Sequence, residues 1–310
     1  MGTVHRLTPA GQVMLGEAVA AFLDEFSRPD QAATRRTYAD VLRHLPGAAD
    51  GPLAALDEPA GGGRLRDWFR SRWGQAAPAT WNRNLAALRS AVAFWREKGW
   101  LTSDPTAELN RAKVTADRVR ARRRATIEKL LARGDISLRE KTLWALAYES
   151  AARAAELLLL DVDDLDLANR RAVVRRKGGA ADVITWQTRT ARLLARHVGS
   201  RSRGPLFCTD RAARVPVAEA DRDPDTGRAR LSYRRTAELF KHASGGWTLH
   251  DLRHSALTHA AEDGMPTPML MTKSGHLSIR TLSRYSRPSV EALARWHADR
   301  DPAARKASRR

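Results

Sequence analysis

The sequence predicts a mainly α-helical protein with a small β-sheet, divided into two domains. Three observations carry this reading. Apolar residues recur at helical spacing through most of the 310 residues. Only two runs, Arg170 to Arg175 and Asp182 to Trp186, alternate in strand fashion, with an Arg-Lys-Gly-Gly-Ala turn between them. The stretch RAKVTADRVRARRR at 111–124 is basic, has almost no apolar period, and reads as the link between two domains. The length fits two ordinary domains, each with enough chain to bury a core.

Residues 1–14 read as a loose tail and 15–112 as a helical domain. Between Gly16 and Arg28, Val19, Phe22, Leu23 and Phe26 recur at helical spacing. A second helix is expected from about Thr34 to Leu45, stopping at Pro46-Gly47. Segment 46–63 is rich in Gly, Pro and Ala and reads as a loop. Its three glycines at 61–63 lack the following Lys-Ser/Thr of a phosphate loop. Arg64 to Trp73 follows as a short helix. Thr80 to Lys98 is the clearest helix of this half. Thr80 caps it, Gly99 closes it, and Trp81, Leu85, Leu88, Val92 and Trp95 form one apolar seam. Arg83, Arg89 and Arg96 lie off that seam.

After a basic linker at 113–124, residues 125–300 read as the second domain and 301–310 as a basic tail. Helices are expected at 126–133 and 137–150, leading into Arg153 and an apolar run. The two strands then place Lys177 at a hairpin tip. Residues 188–198 return to helix, 209–230 are polar and loop-like, and Ser232 to His242 is helical again. Thr248 is an N-cap with Asp251 three residues on, and Gly264 and Pro266 are the stop signal. Leu249, Leu252, Ala256, Leu257 and Ala260 then face inward, and His250 and Arg253 sit one turn apart on one face. Gly275-His276 follows, Tyr285 lies nine residues beyond that histidine, and Ser289 to Ala298 patterns as an amphipathic helix.

Net charge is +19, and only eight of the 54 basic residues are lysines. An Arg-rich, high-GC composition explains arginine over lysine but not the excess of basic over acidic residues. A nucleic acid is the natural partner. Arg35, Arg36, Arg83, Arg89, Arg122, Arg123 and Arg124 are the candidate backbone contacts; the alternative for such arginines is a solvated face. No apolar run approaches a membrane span, and the N-terminus has no signal-peptide pattern. One cysteine cannot form an internal disulfide, which fits a reducing cytoplasm. Cys208, after Leu-Phe, reads as a small buried hydrophobe. Two histidines, an arginine and a phenol within 250–285 read as a phosphate clamp with a nucleophile.

These residues resemble one family, the tyrosine recombinases or phage integrases. HDLRH (250–254), SGH (274–276) and Tyr285 are similar to its C-terminal signature. AARAAELLLLDVDDLD (151–166) resembles the segment around its first arginine, and RRKGGA (175–180) the hairpin that carries its lysine. TRRTYADVLRHL at 34–45 and the run at 82–89 look like its helical core-binding domain. The resemblance implies a SAM-like core-binding domain before an α+β catalytic domain. Tyr285 is then the nucleophile that forms a 3′-phosphotyrosyl link to DNA. Arg153, Arg253, His250 and His276 surround the phosphate, and Lys177 protonates the leaving 5′-oxygen. It further implies double-stranded DNA as partner and no metal or other cofactor. The free protein would be a monomer or weak dimer, and four protomers would exchange strands through a Holliday junction. Accessory DNA-bending or directionality proteins, a cytoplasmic, nucleoid-associated location and no membrane complete the expectation.

There are departures. Ser-Ala-Ala precedes Arg153 where the family often has Thr-Gly-Leu, and Arg280-Thr281 replaces a Thr-Thr pair. Lys273 could add a phosphate contact. His254 and His259 read as structural. The 14-residue tail leaves no room for an arm-binding domain ahead of the helical one. Three rivals stand beside this reading: a zinc hydrolase on His250 and His254 at i, i+4, a silent DNA-binding protein on the same scaffold, and a type IB topoisomerase.

Overall fold

The computed structural model describes residues 13–45, 51–114, 121–176, 179–276, 278–282 and 290–301. The chain divides into two compact units, Met1–Asp117 and Arg118–Arg310.

The first unit is helical. Helix α1 (Leu15–Asp24) buries Leu15, Ala18, Val19 and Phe22. Helix α2 (Ala32–Leu42) follows, then α3 (Pro59–Trp73) and α4 (Pro78–Glu97). Leu85, Leu88, Val92 and Trp95 of α4 are buried as the seam requires, and the Trp95 indole donates to the Ala18 carbonyl at 2.8 Å. That bond satisfies a buried donor and pins α4 to α1.

Two expectations fail here. Segment 46–63 is not all loop: Leu53–Asp57 forms a 3-10 turn, and α3 already begins at Pro59, glycines included. Proline at the first helical turn presets φ and lacks an N–H the helix cannot use there. The glycines cost helix propensity, roughly 1 kcal/mol each against alanine. Close packing requires the first of them, since a Cβ on Gly61 would fall 1.8 Å from the Ala55 carbonyl oxygen. Likewise α4 starts at Pro78 with Ala77 as its cap, so Thr80 is inside the helix.

The second unit is built on α6 (Leu138–Ser150), buried on most sides, with Trp144 at 0 % exposure. Ser137 caps it by accepting from the Glu140 N–H. Around it lie α5 (Arg124–Ala132), the short α7 (Ala154–Leu158), α8 (Thr188–Val198), α9 (Tyr233–Ala243) and α10 (Leu249–Glu262). Helices α11 (Thr267–Ser274), α12 (Ile279–Leu282) and α13 (Val290–Arg300) follow. Strands β1 (Leu165–Asp166), β2 (Arg171–Arg175) and β3 (Ala181–Thr185) make an antiparallel sheet in that order. Ala172 and Val174 point into the core and pair with Ile184 and Asp182, while Val173 and Val183 face out together.

The polar segment 209–230 is also more ordered than expected. It carries a second ribbon, β4 (Cys208–Ala212) paired with β5 (Arg228–Arg230). Its tight return is held by Asp223, 2 % exposed, whose Oδ1 accepts from the Thr226 N–H and hydroxyl at 2.7 and 2.6 Å. Cys208 is half-buried rather than buried. Its thiol lies 3.2 Å from the Pro205 carbonyl, and desolvation pushes its pKa up, away from nucleophilic use.

Candidate active site

The Thr248 cap forms a reciprocal box. Its hydroxyl accepts from the Asp251 N–H at 3.3 Å, and its own N–H donates to the Asp251 carboxylate at 3.0 Å. This sets the first turn of α10, which carries His250 and Arg253. His250 is exposed, whereas Arg253 is only 3 % exposed. The buried guanidinium donates to the carbonyls of Ala151 and Ser274, the second at 2.6 Å. Carbonyl partners orient the fork without cancelling its charge, so it keeps its pull on an anion.

Ala151 explains how the Ser-Ala-Ala departure is accommodated. It ends α6 in the left-handed region, φ 56°, where the related pattern has glycine. A non-glycine residue pays about 1–2 kcal/mol there. Its methyl is fully buried against Ala256, Leu257, Leu270 and Leu282, which offsets that strain. The next turn makes Arg153 the N-cap of α7. Glu156 caps the Arg153 N–H with one carboxylate oxygen at 3.0 Å and holds its guanidinium with the other at 2.8 Å. The Arg153 side chain stays 43 % exposed, so donors remain directed outward.

Gly275 ends α11 in the left-handed region and turns the chain into His276. Partial burial, then Arg253, Arg153, Arg176 and His250 in that order, lower the His276 pKa to about 4. His250 is also held below the ordinary histidine range, by partial burial and then by Arg253. Such repulsions act over short range. Three guanidiniums and two imidazoles therefore share one neighbourhood. It is electropositive, and both rings are neutral at pH 7.

A pH dependence follows. The folded His276 pKa lies below the unfolded value near 6.5, so its contribution to stability is complete above pH 6.5 and is lost as pH falls toward 4. A phosphodiester placed among the guanidiniums offsets the repulsion. We expect the His276 pKa, followed by NMR, to be near 4 in free protein and to rise on DNA binding. An ordinary value in free protein would contradict this packing.

Arg176 is the member the sequence reading missed. Lys177 and Tyr285, the other two expected reacting groups, lie outside the described residues. Lys273 donates to the Glu149 carbonyl and is desolvated, which lowers its pKa. His259 is buried against the Tyr148 hydroxyl at 2.7 Å, the supporting position expected of it. Among the described residues no group of three or more His, Cys, Asp or Glu side chains is placed to hold a metal ion, so His250 and His254 have no third ligand there.

Comparison with known proteins decides the family. The phage integrase family matches residues 121–291. The chain belongs to the phage integrase family. It is 28 % identical over 302 residues to the tyrosine recombinase XerC of Mycobacterium leprae (strain TN), covering 92 % of this chain and 100 % of that protein. It is 27 % identical over 306 residues to the tyrosine recombinase XerD of Xanthomonas axonopodis pv. citri (strain 306), covering 92 % and 97 %. Two solved structures share the fold. One is a lambda integrase (75–356) dimer bound to a COC′ core site: TM-score 0.68, 16 % identity, 90 % of this chain and 97 % of that one. The other is the Tn1549 transposon integrase with circular intermediate DNA: TM-score 0.66, 15 % identity, 91 % and 98 %.

Several of the arginines expected to contact DNA have partners within the protein. Arg36, Arg83 and Arg123 are exposed. Arg35 is exposed too, with bonds to the Leu23 carbonyl and Asp24. Arg89 is half-buried and donates to the Leu109 carbonyl at 2.8 Å, holding the segment after α4. Arg124 is paired with both oxygens of Asp263 at 2.9 Å. Arg122 donates to Asp251 at 3.1 Å, lies over the Trp247 ring at 5.1 Å, and its N–H bonds the Ser255 hydroxyl. The last residues of the expected linker are thus folded onto α10. We expect Arg122→Ala to lower Tm by roughly 2–4 °C, about 1 kcal/mol, and to leave DNA affinity unchanged. A native Tm with tenfold weaker DNA binding would return Arg122 to the DNA contacts.

Proposed function

We infer that this protein is a site-specific DNA recombinase that cuts and rejoins strands through Tyr285. The observation that carries the reading is the grouping of Arg153, Arg253, His250 and His276 in one electropositive neighbourhood on a family scaffold. Arg153 and Arg253 neutralise the non-bridging oxygens as charge builds on them. A free phenol titrates near 10, so cationic neighbours favour its ionised form. His250, neutral at pH 7, takes the phenolic proton. The Tyr285 oxygen forms a bond to phosphorus as the bond to the 5′-oxygen breaks, and Lys177 gives that oxygen its proton. His276 hydrogen-bonds a phosphoryl oxygen. The tyrosyl ester conserves the bond energy, and a 5′-hydroxyl from a partner strand reverses the step without fuel.

Around this chemistry we place four protomers on two DNA sites, a Holliday-junction intermediate, and work on the nucleoid in the cytoplasm. Arg35, Arg36, Arg83 and Arg123 contact the DNA backbone. The function is tested with supercoiled plasmids carrying two copies of the DNA that flanks its gene. Site-dependent exchange of the flanking segments supports the recombinase. Relaxation of any plasmid, regardless of site, supports a topoisomerase instead.

A further inference from the structure

Arg176 is the member of the cluster to which the reaction above gives no task. It continues the inward face of β2 after Ala172 and Val174, and its side chain is only 8 % exposed. Nε donates to Asp182 at 2.6 Å across the hairpin. Nη1 donates to the Ser274 carbonyl at 3.1 Å and reaches Glu156 at 3.5 Å. One guanidinium therefore joins β3, the start of α7 and the end of α11. The Ser274 carbonyl also accepts from Arg253, so two guanidiniums meet on one oxygen.

Gly275 is shaped to this arrangement. It is left-handed, and a Cβ there would fall 2.2 Å from Arg176 Cζ. Glycine lets the turn before His276 lie directly on the guanidinium. Nη2 of Arg176 is buried and has no partner among the described residues. Unlike Arg253, which donates to carbonyls, Arg176 is paired with two carboxylates, Asp182 and Glu156, so it acts through its neighbours. Its main chain closes the hairpin base: its N–H donates to the Ala180 carbonyl at 2.8 Å and its carbonyl accepts from the Gly179 N–H at 3.0 Å. Lys177 is the next residue along the chain.

We propose that Arg176 is a positioning residue that clamps the base of the β2–β3 hairpin to Glu156 and the Ser274–Gly275 turn, and so sets the reach of the Lys177 amine to the leaving 5′-oxygen. This rests on Lys177 as the general acid. A point charge cannot replace the fork. Lysine at 176 keeps positive charge beside Glu156 and Asp182 but offers one nitrogen where three acceptors need bridging.

The test compares single-turnover cleavage of two substrates, one with the normal 5′-oxygen leaving group and one with a 5′-sulfur, which departs as thiolate and needs no proton. Lys177→Ala is the reference. Arg176→Lys is the main variant, because it keeps a cation beside Asp182 and the buried Glu156; Arg176→Met is the second. Both should bind DNA within about threefold of the parent. Each should slow oxygen cleavage by about 10- to 10²-fold, the scale of a mispositioned general acid, and recover most of that loss with sulfur. Arg176→Lys combined with Lys177→Ala should be no slower than Lys177→Ala alone. If sulfur relieves Lys177→Ala but not the Arg176 variants, the positioning role is overturned alone. If sulfur fails to relieve Lys177→Ala, the general-acid assignment falls and takes the proposal with it. An Arg176→Lys protein that cleaves the oxygen substrate at the parent rate also overturns it.

Discussion

Replacing Tyr285 by Phe should abolish covalent attachment to DNA while leaving site binding within about twofold. The substitution removes a single oxygen. The phenylalanine ring keeps the size and shape of the tyrosine ring, and the substitution changes none of the electropositive cluster that attracts the phosphate. In the reaction proposed above, the described guanidiniums and imidazoles of that cluster stabilise charge and move a proton, and Tyr285 alone attacks phosphorus. Loss should therefore be complete within detection, since covalent catalysis cannot proceed without its nucleophile. Cleavage persisting in this variant would remove Tyr285 from the mechanism.

The second large effect is expected at Arg253. Its guanidinium spans the Ala151 and Ser274 carbonyls, which joins the end of α6 to the end of α11 across α10. Arg253→Lys keeps a charge in the pocket, but a single nitrogen cannot span the two carbonyls that Nη1 and Nη2 reach separately and also hold a phosphate oxygen in the fork's fixed geometry. Cleavage should fall by about 10³-fold, the cost of losing a preorganised donor to the developing charge. Binding should weaken far less, because the exposed arginines supply most of the electrostatic attraction. The checks are single-turnover cleavage and a binding titration at one fixed salt concentration. A variant within threefold of the parent rate would mean that Arg253 serves only to hold the fold. Arg253→Ala is the poorer probe, because it also removes the donor to the Ala151 carbonyl and one of the two donors to the Ser274 carbonyl.

Much of this site was legible in the chain. The Thr248–Asp251 box and the inward set Leu249, Leu252, Ala256 and Leu257 fix α10, and they placed His250 and Arg253 before any coordinates. The depth of Arg253 was not legible, because a burial of 3 % depends on carbonyls from two distant turns. The left-handed Ala151 was also hidden. Alanine carries no local signal for positive φ, and its packing against Leu257 and Leu270 supplies the reason.

Arg176 did leave a trace. Alternation in β2 sends Ala172 and Val174 inward, and the next inward position is 176. An arginine on a core-facing register is the informative exception to the burial rule. It was overlooked because this chain is so rich in arginine that one more looked ordinary. The protein partners of three other arginines were hidden for a different reason. Arg89, Arg122 and Arg124 looked solvent-facing by pattern, yet each reaches a protein acceptor too far along the chain for periodicity to reveal. The early start of α3 was masked by its glycines, whose poor propensity is overridden by the contact of Gly61 with Ala55.

The most direct measurement is the chemical identity of the protein–DNA bond. A nicked substrate that loses its cleaved 5′ fragment should trap the protein on DNA in the presence of a strong chelator, and the trapped complex can be digested and read by peptide mass. The account predicts one modified peptide, with the nucleotide 3′-phosphate esterified to Tyr285. A modified residue elsewhere, or cleaved DNA with a free 3′ end and no protein attached, would contradict it.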